Sequence, residues 1–554
     1  MRIGLLAIFA VLFGCGNAFT ADPAIVFQTH PVSRILGELR ATAELISGEM
    51  GVKGLNKQIK NDLGEKGFEG LDLGRPIVGY VLLAPKPEDI TAVVAFPITG
   101  EKEFLDLCER ANHQKPKLAG KEKDVYELPP LDPRYKALMR FSDQYAYIAY
   151  GAKPAPALDP KALVPAQQIY IPTEKGLVAG RIYFDRIPVA VKLALPTLMA
   201  EVKKTILGGL YLDRDEQPIV KAIVPEVEKL VSRYLKLAAG ADEMAARISI
   251  NVETGNLTTE LTLNGKKGSE LSTIIAARKP TGNKFGGLIA TPDTIAGFKF
   301  RLPLFEEEIR GAAIAGLEAG PKEATRNIPD PIKTALEELF KGLGRTVKTG
   351  EFDIVAGFRG PDKNGSYTAV GAIAFEDPTA LEKEFKKLIQ NLAPQNIQDA
   401  IKWDAAKAGK VSIHTWKKPD GGFLDVLKVF GGDDCLFAFA FAPHGVFVVI
   451  GPDAVGTMKD ALAVKPVDSP VLDVVVNPAR VVKLLDKVSG PNGPGYARLE
   501  AVLGKEDKLM SVMSMTLEGG KELKMAYTIN LRLILRGVTR DDLEREKPEP
   551  VERK

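Results

Sequence analysis

Four histidines, His30, His113, His414 and His444, carry all the imidazole chemistry of the chain, and no two lie within two helical turns of one another. A metal site built on them would need distant segments to converge, because no local spacing puts two ligands on one helix face. His444 falls between Pro443 and Gly445 at what reads as a hairpin tip, where a polar side chain serves the turn. His30 precedes Pro31 at a strand-to-helix junction. Two acidic clusters could offer oxygen ligands: Asp213, Asp215 and Glu216, and Asp433 with Asp434. Calcium takes six or more oxygens, and neither cluster has the distal glutamate of an EF-hand, so both read as solvated turns. Gly490-Pro491-Asn492-Gly493-Pro494-Gly495 reads as a flexible loop, since no lysine and serine follow in the order a phosphate cradle needs. GxSxG, HExxH, CxxC and P-loop patterns are absent. The sequence therefore assigns no catalytic residue, no metal ligand and no cofactor-binding residue.

The sulfur chemistry points to a compartment. Arg2 precedes an apolar run from Leu5 to Phe13, and small residues follow at Gly14, Gly16 and Ala18. This is the pattern of a signal peptide over residues 1–21, and the run is too short for a membrane span of roughly 20 apolar residues. Cleavage is expected near residue 18 or 21. Alternatively, Leu12-Phe13-Gly14-Cys15 has the form of a lipoprotein box, in which Cys15 would carry lipid and anchor the protein. Either route predicts an exported protein of the periplasm or cell surface. Of the three cysteines, cleavage near residue 18 or 21 leaves Cys108 and Cys435, too few for a disulfide framework, although the pair could bond in an oxidising envelope. Each stands in an apolar setting and reads as a buried thiol.

Lys and Arg number 74 against 71 Asp and Glu, a net charge of +3 that gives no reason to expect a nucleic acid partner. The 554 residues exceed what one core normally serves, so two or more folded units are expected.

The elements that would position any site form an internal repeat. Thr91-Ala92-Val93 opens a strand that leads to a helix containing Glu101-Lys102-Glu103-Phe104. Thr368-Ala369-Val370 does the same before Glu382-Lys383-Glu384-Phe385. FSDQYAYIAYG at 141–151 matches FAPHGVFVVIG at 441–451 in its apolar and turn positions. Pro188 with Val191-Lys192-Leu193 answers Pro478 with Val482-Lys483-Leu484. Alternation at Ile248, Ile250 and Val252 resumes beyond a turn at Leu257, Leu261 and Leu263, and Val512, Met515 and Leu517 around Glu518-Gly519-Gly520 repeat the design. Period-two alternation with glycine in the turn indicates antiparallel hairpins with one wet face. Val220, Ile223, Val224, Val227, Leu230, Val231 and Tyr234 fall on one helical stripe, which reads as a core face. The expected fold is α+β: two divergent repeats, 22–280 and 281–540, each an antiparallel sheet with helices packed on one face. The charged tail, 541–554, is expected to be disordered.

This layout of strand, helix, FSDQYAYIAYG-like hairpin and Pro188-type helix resembles exported bacterial proteins of unknown function, of the planctomycete type. The resemblance implies an exported α+β protein and transfers no active-site residue. The function expected from the whole is a non-catalytic envelope scaffold or a module for protein or cell-wall partners. A carrier of a lipid or other apolar ligand, and a hydrolase whose site assembles only in three dimensions, are the alternatives.

Overall fold

A computed structural model of the chain describes residues 23–189, 240–489 and 513–531, apart from 85–88, 120–123, 131, 173, 175, 290, 292, 304–306, 325–329, 350 and 418–424, together with 192, 225, 229, 233 and 237. The segment 1–21 read as a signal peptide, with Cys15, the cluster at Asp213, the stripe from Val220 to Tyr234, the loop at 490–495 and the tail at 541–554 lie outside the described residues. Contacts divide the chain into two compact units, the first drawn from Met1–Val202 and Ala239–Lys267, the second chiefly from Gly268–Lys554.

The first unit begins with strand β1 (Ile25–Pro31) and helix α1 (Val32–Leu63), which kinks at Gly48, where φ is 60° and ψ −150°. Strands β2 (Pro76–Leu82) and β3 (Thr91–Pro97) lead to α2 (Glu101–Asn112). There, acidic residues in the first turn and Arg110 in the last favour the helix dipole, and Phe104, Leu107 and Cys108 supply the buried face. Then follow β4 (Lys117–Leu118), β5 (Val125–Leu128), β6 (Lys136–Ser142), β7 (Tyr145–Gly151), the short α3 (Ala166–Ile169), β8 (Val178–Tyr183), β9 (Ala241–Asn251) and β10 (Asn256–Gly265). Every pairing is antiparallel, in the order β4-β5-β6-β7-β3-β2-β1-β8-β9-β10. The first strand of the unit is thus an interior one, with Phe27 of β1 opposite both Gly79 of β2 and Gly180 of β8.

The second unit opens with α4 (Glu270–Ala277), capped by the Ser269 side chain, and β11 (Thr281–Asn283). It continues with β12 (Thr294–Pro303), α5 (Glu307–Ala324), α6 (Asp330–Lys348), β13 (Glu351–Arg359), β14 (Thr368–Ala374), α7 (Pro378–Leu392) and α8 (Gln395–Ala400). Strands β15 (Ile401–Ala408), β16 (Val411–Lys417), β17 (Leu436–Ala442) and β18 (Gly445–Gly451) precede α9 (Ala454–Leu462), β19 (Val467–Ser469) and β20 (Leu472–Val476). Helix α10 (Pro478–Ser489), β21 (Met513–Glu518) and β22 (Leu523–Asn530) complete it. The order is β15-β16-β17-β18-β14-β13-β12-β20-β21-β22, again antiparallel throughout, and β11 pairs separately with β19. Taken strand by strand in chain order, this is the order found in the first unit. Here Phe298 of β12 lies opposite Ala356 and Val474.

The α+β class and antiparallel sheets agree with the sequence reading, but the helices do not keep to one face, since α9 packs on β17 and β18 opposite α7. Both faces are covered. In the second unit Ala438, Ala440 and Ala442 of β17 pack with Phe447, Val449 and Met458 on one side, while Phe439 and Phe441 meet Phe385 of α7 on the other. A strand that is apolar at both parities must bury both faces, so the expected wet face does not apply to the sheet centres. In the first unit the segment 154–171 forms that second layer, closing over Val26, Tyr80, Val93 and Tyr147 with Leu158, Val164 and Ile169. The unit boundary also falls earlier than residue 280, because the end of α4 docks on the β21–β22 turn. Gly519 N–H donates to Arg278 O at 2.8 Å and Gly520 N–H to Ile275 O at 2.9 Å.

Candidate functional site

Helix α7 begins where the Asp377 carboxylate accepts from Ala380 N–H and Pro378 occupies the first turn. That start fixes the phase of the helix. Phe385 faces the sheet, with ring centroids 5.6 Å from Phe439 and 6.1 Å from Phe441, and Glu382 and Lys386 stand one turn apart on the flank. On the edge strand β15 the pairing register shifts between Lys402 and Ala406, and Asp404 takes φ of 54° in that irregularity. His414 on β16 pairs with Phe439 of β17 and is fully buried.

These elements bring Glu382, Asp404 and His414 together, with one ligand atom of each within 4.8 Å of the others. His414 Nε2 lies 3.1 Å from Glu382 Oε1, and Lys386 Nζ is 2.7 Å from the same oxygen and 3.9 Å from Asp404 Oδ2. The Lys386 ammonium also sits 5.3 Å from the Trp403 ring centroid. Burial of the His414 ring, seconded by the Lys386 charge, pulls its pKa below the usual 6.5 and outweighs the opposing pull of Glu382 and Asp404. A hydrogen bond from Ser412, with the Lys386 charge helping, holds the Asp404 carboxyl below its ordinary value.

The tautomer follows from one contact. Asp404 N–H donates to His414 Nδ1 at 3.0 Å, and a backbone amide can only donate. Nδ1 is therefore an acceptor, the ring proton resides on Nε2, and it is donated to Glu382. A metal ion at Nε2 would need that lone pair too, leaving an imidazolate, and Lys386 already occupies the Glu382 oxygen that faces the ring. The donor set does not fit a metal ion. Nor does it fit general acid–base work, because protonating His414 would turn Nδ1–H against the Asp404 N–H.

The other residues singled out in the sequence are scattered. His30 is buried at the end of β1, its Nε2 3.4 Å from Glu174 O. His113 is the exposed left-handed cap that ends α2, and His444 is exposed at the β17–β18 turn. Asp433 and Asp434 are exposed in a short 3-10 turn. Cys108 and Cys435 are buried thiols that share no disulfide, and burial pushes the Cys108 thiol up to about 12. Sequence reasoning missed Lys386 and Asp404. The only local signal was the four-residue spacing of Glu382 and Lys386.

A second cluster lies just beyond the segment 154–171, which forms a strap over the first sheet. Burial acts to raise the Glu174 carboxyl, but two charge-assisted hydrogen bonds outweigh it and leave its pKa lowered: Arg181 Nη2 at 2.8 Å and Arg247 Nε at 2.7 Å. Arg181 also meets Glu243 at 3.2 Å and Arg247 meets Glu260 at 3.0 Å. Every charge in it has an opposite partner, so it too is a structural network.

Comparison of the chain with protein-family models, with curated proteins and with solved structures finds no match.

Proposed function

We propose that this protein is an exported envelope protein built from two divergent copies of one α+β unit and that it acts without catalysis, as a scaffold or interaction module. The observation that supports a non-catalytic reading is the Asp404 N–H to His414 Nδ1 hydrogen bond, which, with Lys386 on Glu382, commits the His414 ring to structural contacts at both nitrogens. The two copies are supported by the shared strand order and by aromatic contacts that recur in each: Phe104 with Phe141 at 6.3 Å, and Phe385 with Phe441 at 6.1 Å. On this reading His414 fills the place that Tyr126 fills in the first copy, since Tyr126 pairs with Met139 as His414 pairs with Phe439. Export rests on the apolar run after Arg2.

The test has two parts. The denatured mass of the protein from its own host is expected to begin near Phe19 or Asp22, or to carry lipid on Cys15; an intact Met1 overturns export. Full-length protein is expected to turn over none of a panel of chromogenic ester, phosphoester, glycoside and peptide substrates. Turnover that Glu382→Gln or His414→Gln abolishes overturns the non-catalytic reading.

A further inference from the structure

The kinked helix α1 folds its two halves around the loop at 64–74 and leaves an open cleft of about 570 Å³ in the first unit. That volume is within the roughly 300–1,000 Å³ range of small-molecule sites. Leu36, Ile59, Phe68 and Leu71, which are buried or half-buried, form its floor. Arg40 and Lys66, both exposed, stand at its rim. Lys66 is committed to Glu69 at 3.0 Å, the acid that also lines the cleft. Arg40 makes no hydrogen bond or ion pair among the described residues, whereas the guanidiniums of Arg34, Arg75 and Arg110 are all engaged. The lining thus carries one uncompensated positive charge beside an apolar floor.

The wall is preformed. Arg110 reaches out from α2 and donates to the last carbonyl of α1, Leu63 O at 2.9 Å, and to two carbonyls of the loop, Gly67 O at 3.2 Å and Glu69 O at 3.0 Å. Gly70 lets the loop lie against α2, since a Cβ there would come within 2.5 Å of Glu103 O. A ligand entering the cleft need not order this wall, which removes one of the usual costs of binding.

We propose that the cleft binds a small monocarboxylate with an unbranched apolar tail, the carboxylate paired with Arg40 and the tail laid along Leu36, Ile59 and Phe68. A guanidinium matches a carboxylate in a bidentate pair, and the floor offers the tail a surface that water gains little from wetting. The site goes beyond the non-catalytic reading above and does not depend on it: a substrate panel could fail or succeed without touching this cleft.

The experiment is calorimetric titration of the full-length chain with decanoate, alongside octanoate, acetate, decanol and a peptide ending in a free leucine carboxylate. The expected result is saturable binding of decanoate with one site per chain, tighter than octanoate by up to about fourfold per methylene, and no binding of acetate. Arg40→Gln is expected to weaken decanoate about tenfold and leave decanol unchanged, while Ile59→Asp removes both. Circular dichroism of each variant confirms that it is folded. Failure of decanoate to saturate, unchanged decanoate affinity in Arg40→Gln, or binding of the peptide in place of decanoate would each overturn the proposal.

Discussion

The backbone N–H of Asp404 donates to Nδ1 of His414 across 3.0 Å, and this single contact links an irregular edge strand to the protonation state of a buried ring. Asp404 reaches that position because its φ of 54° turns the amide inward, a conformation uncommon for a residue other than glycine. Burial between Trp403 and Phe439, the Lys386 charge from α7 and the Asp404 N–H from β15 keep the ring neutral against the pull of the Glu382 and Asp404 carboxylates.

A pH dependence of stability follows. His414 has a folded pKa below 6.5, so the unfolded chain binds the proton first as pH falls. The contribution of the neutral ring is complete above pH 6.5 and is lost as pH drops through the folded pKa. Urea midpoints of the wild type are expected to decline below pH 6.5, and His414→Phe is expected to flatten that decline.

Lys386→Met tests the electrostatic part of the same shift. The lysine lowers the His414 pKa through its charge, so its removal is expected to move the His414 titration upward toward 6.5. The ring carbon-proton shifts, followed by NMR against pH, read this directly. An unchanged midpoint would leave burial as the whole cause.

The strap over the first sheet is fastened by two phenols. Tyr147 OH accepts from Ala166 N–H at 3.1 Å and Tyr80 OH from Val164 N–H at 3.4 Å. Tyr147→Phe strands a buried N–H and is expected to cost about 1–3 kcal/mol, with Tyr80→Phe costing less because its bond is longer. Limited proteolysis within 154–177 should accelerate in the same rank order.

Glu174→Gln removes the charge shared by Arg181 and Arg247 and turns one of the two acceptor oxygens into a donor, and roughly 3 kcal/mol of stability should go with it at neutral pH. The carboxyl has a lowered pKa, so its contribution is present above the ordinary value of 4.5 and disappears as pH falls through the folded pKa. The gap between wild type and variant should therefore narrow in acid, a trend that urea midpoints at neutral and acid pH can follow.

Core packing in the second unit gives a simpler expectation. Met458 of α9 is fully buried against β17 and β18, and Met458→Ala should cost about 2–5 kcal/mol in a urea titration. Cys435 provides the readout: it is a buried thiol outside any disulfide, so a thiol reagent should reach it only as this unit opens.

The local elements were legible in the sequence, and their neighbours were not. The hairpins at 141–151 and 441–451 are β6–β7 and β17–β18, and the two Glu-Lys-Glu-Phe segments lie on α2 and α7, because period and turn chemistry are local properties. The central place of β1 depends on pairing with residues 178–183, which no periodicity encodes. The second covered face was half visible in the alternating Ala and Phe of β17, an apolar run without a polar parity. His414 could be named from the sequence, but Glu382 lies 32 residues away and Asp404 ten, so only the tertiary fold brings the three together.

The interior position of β1 sets a timetable for biogenesis. Ribosomes release the chain from its N-terminus, so residues 25–31 appear early and can zip to β2, yet their other flank waits for residues 178–183. At about 5–20 residues per second, that flank stays open for on the order of ten seconds. During that interval it is a bare sheet edge that any extended segment could occupy. The same exposure recurs in the second unit, where β12 meets β13 early and its other flank waits for residues 472–476, so slowing synthesis between β2 and β8, or between β13 and β20, should increase misassembly more than slowing it between β8 and β10.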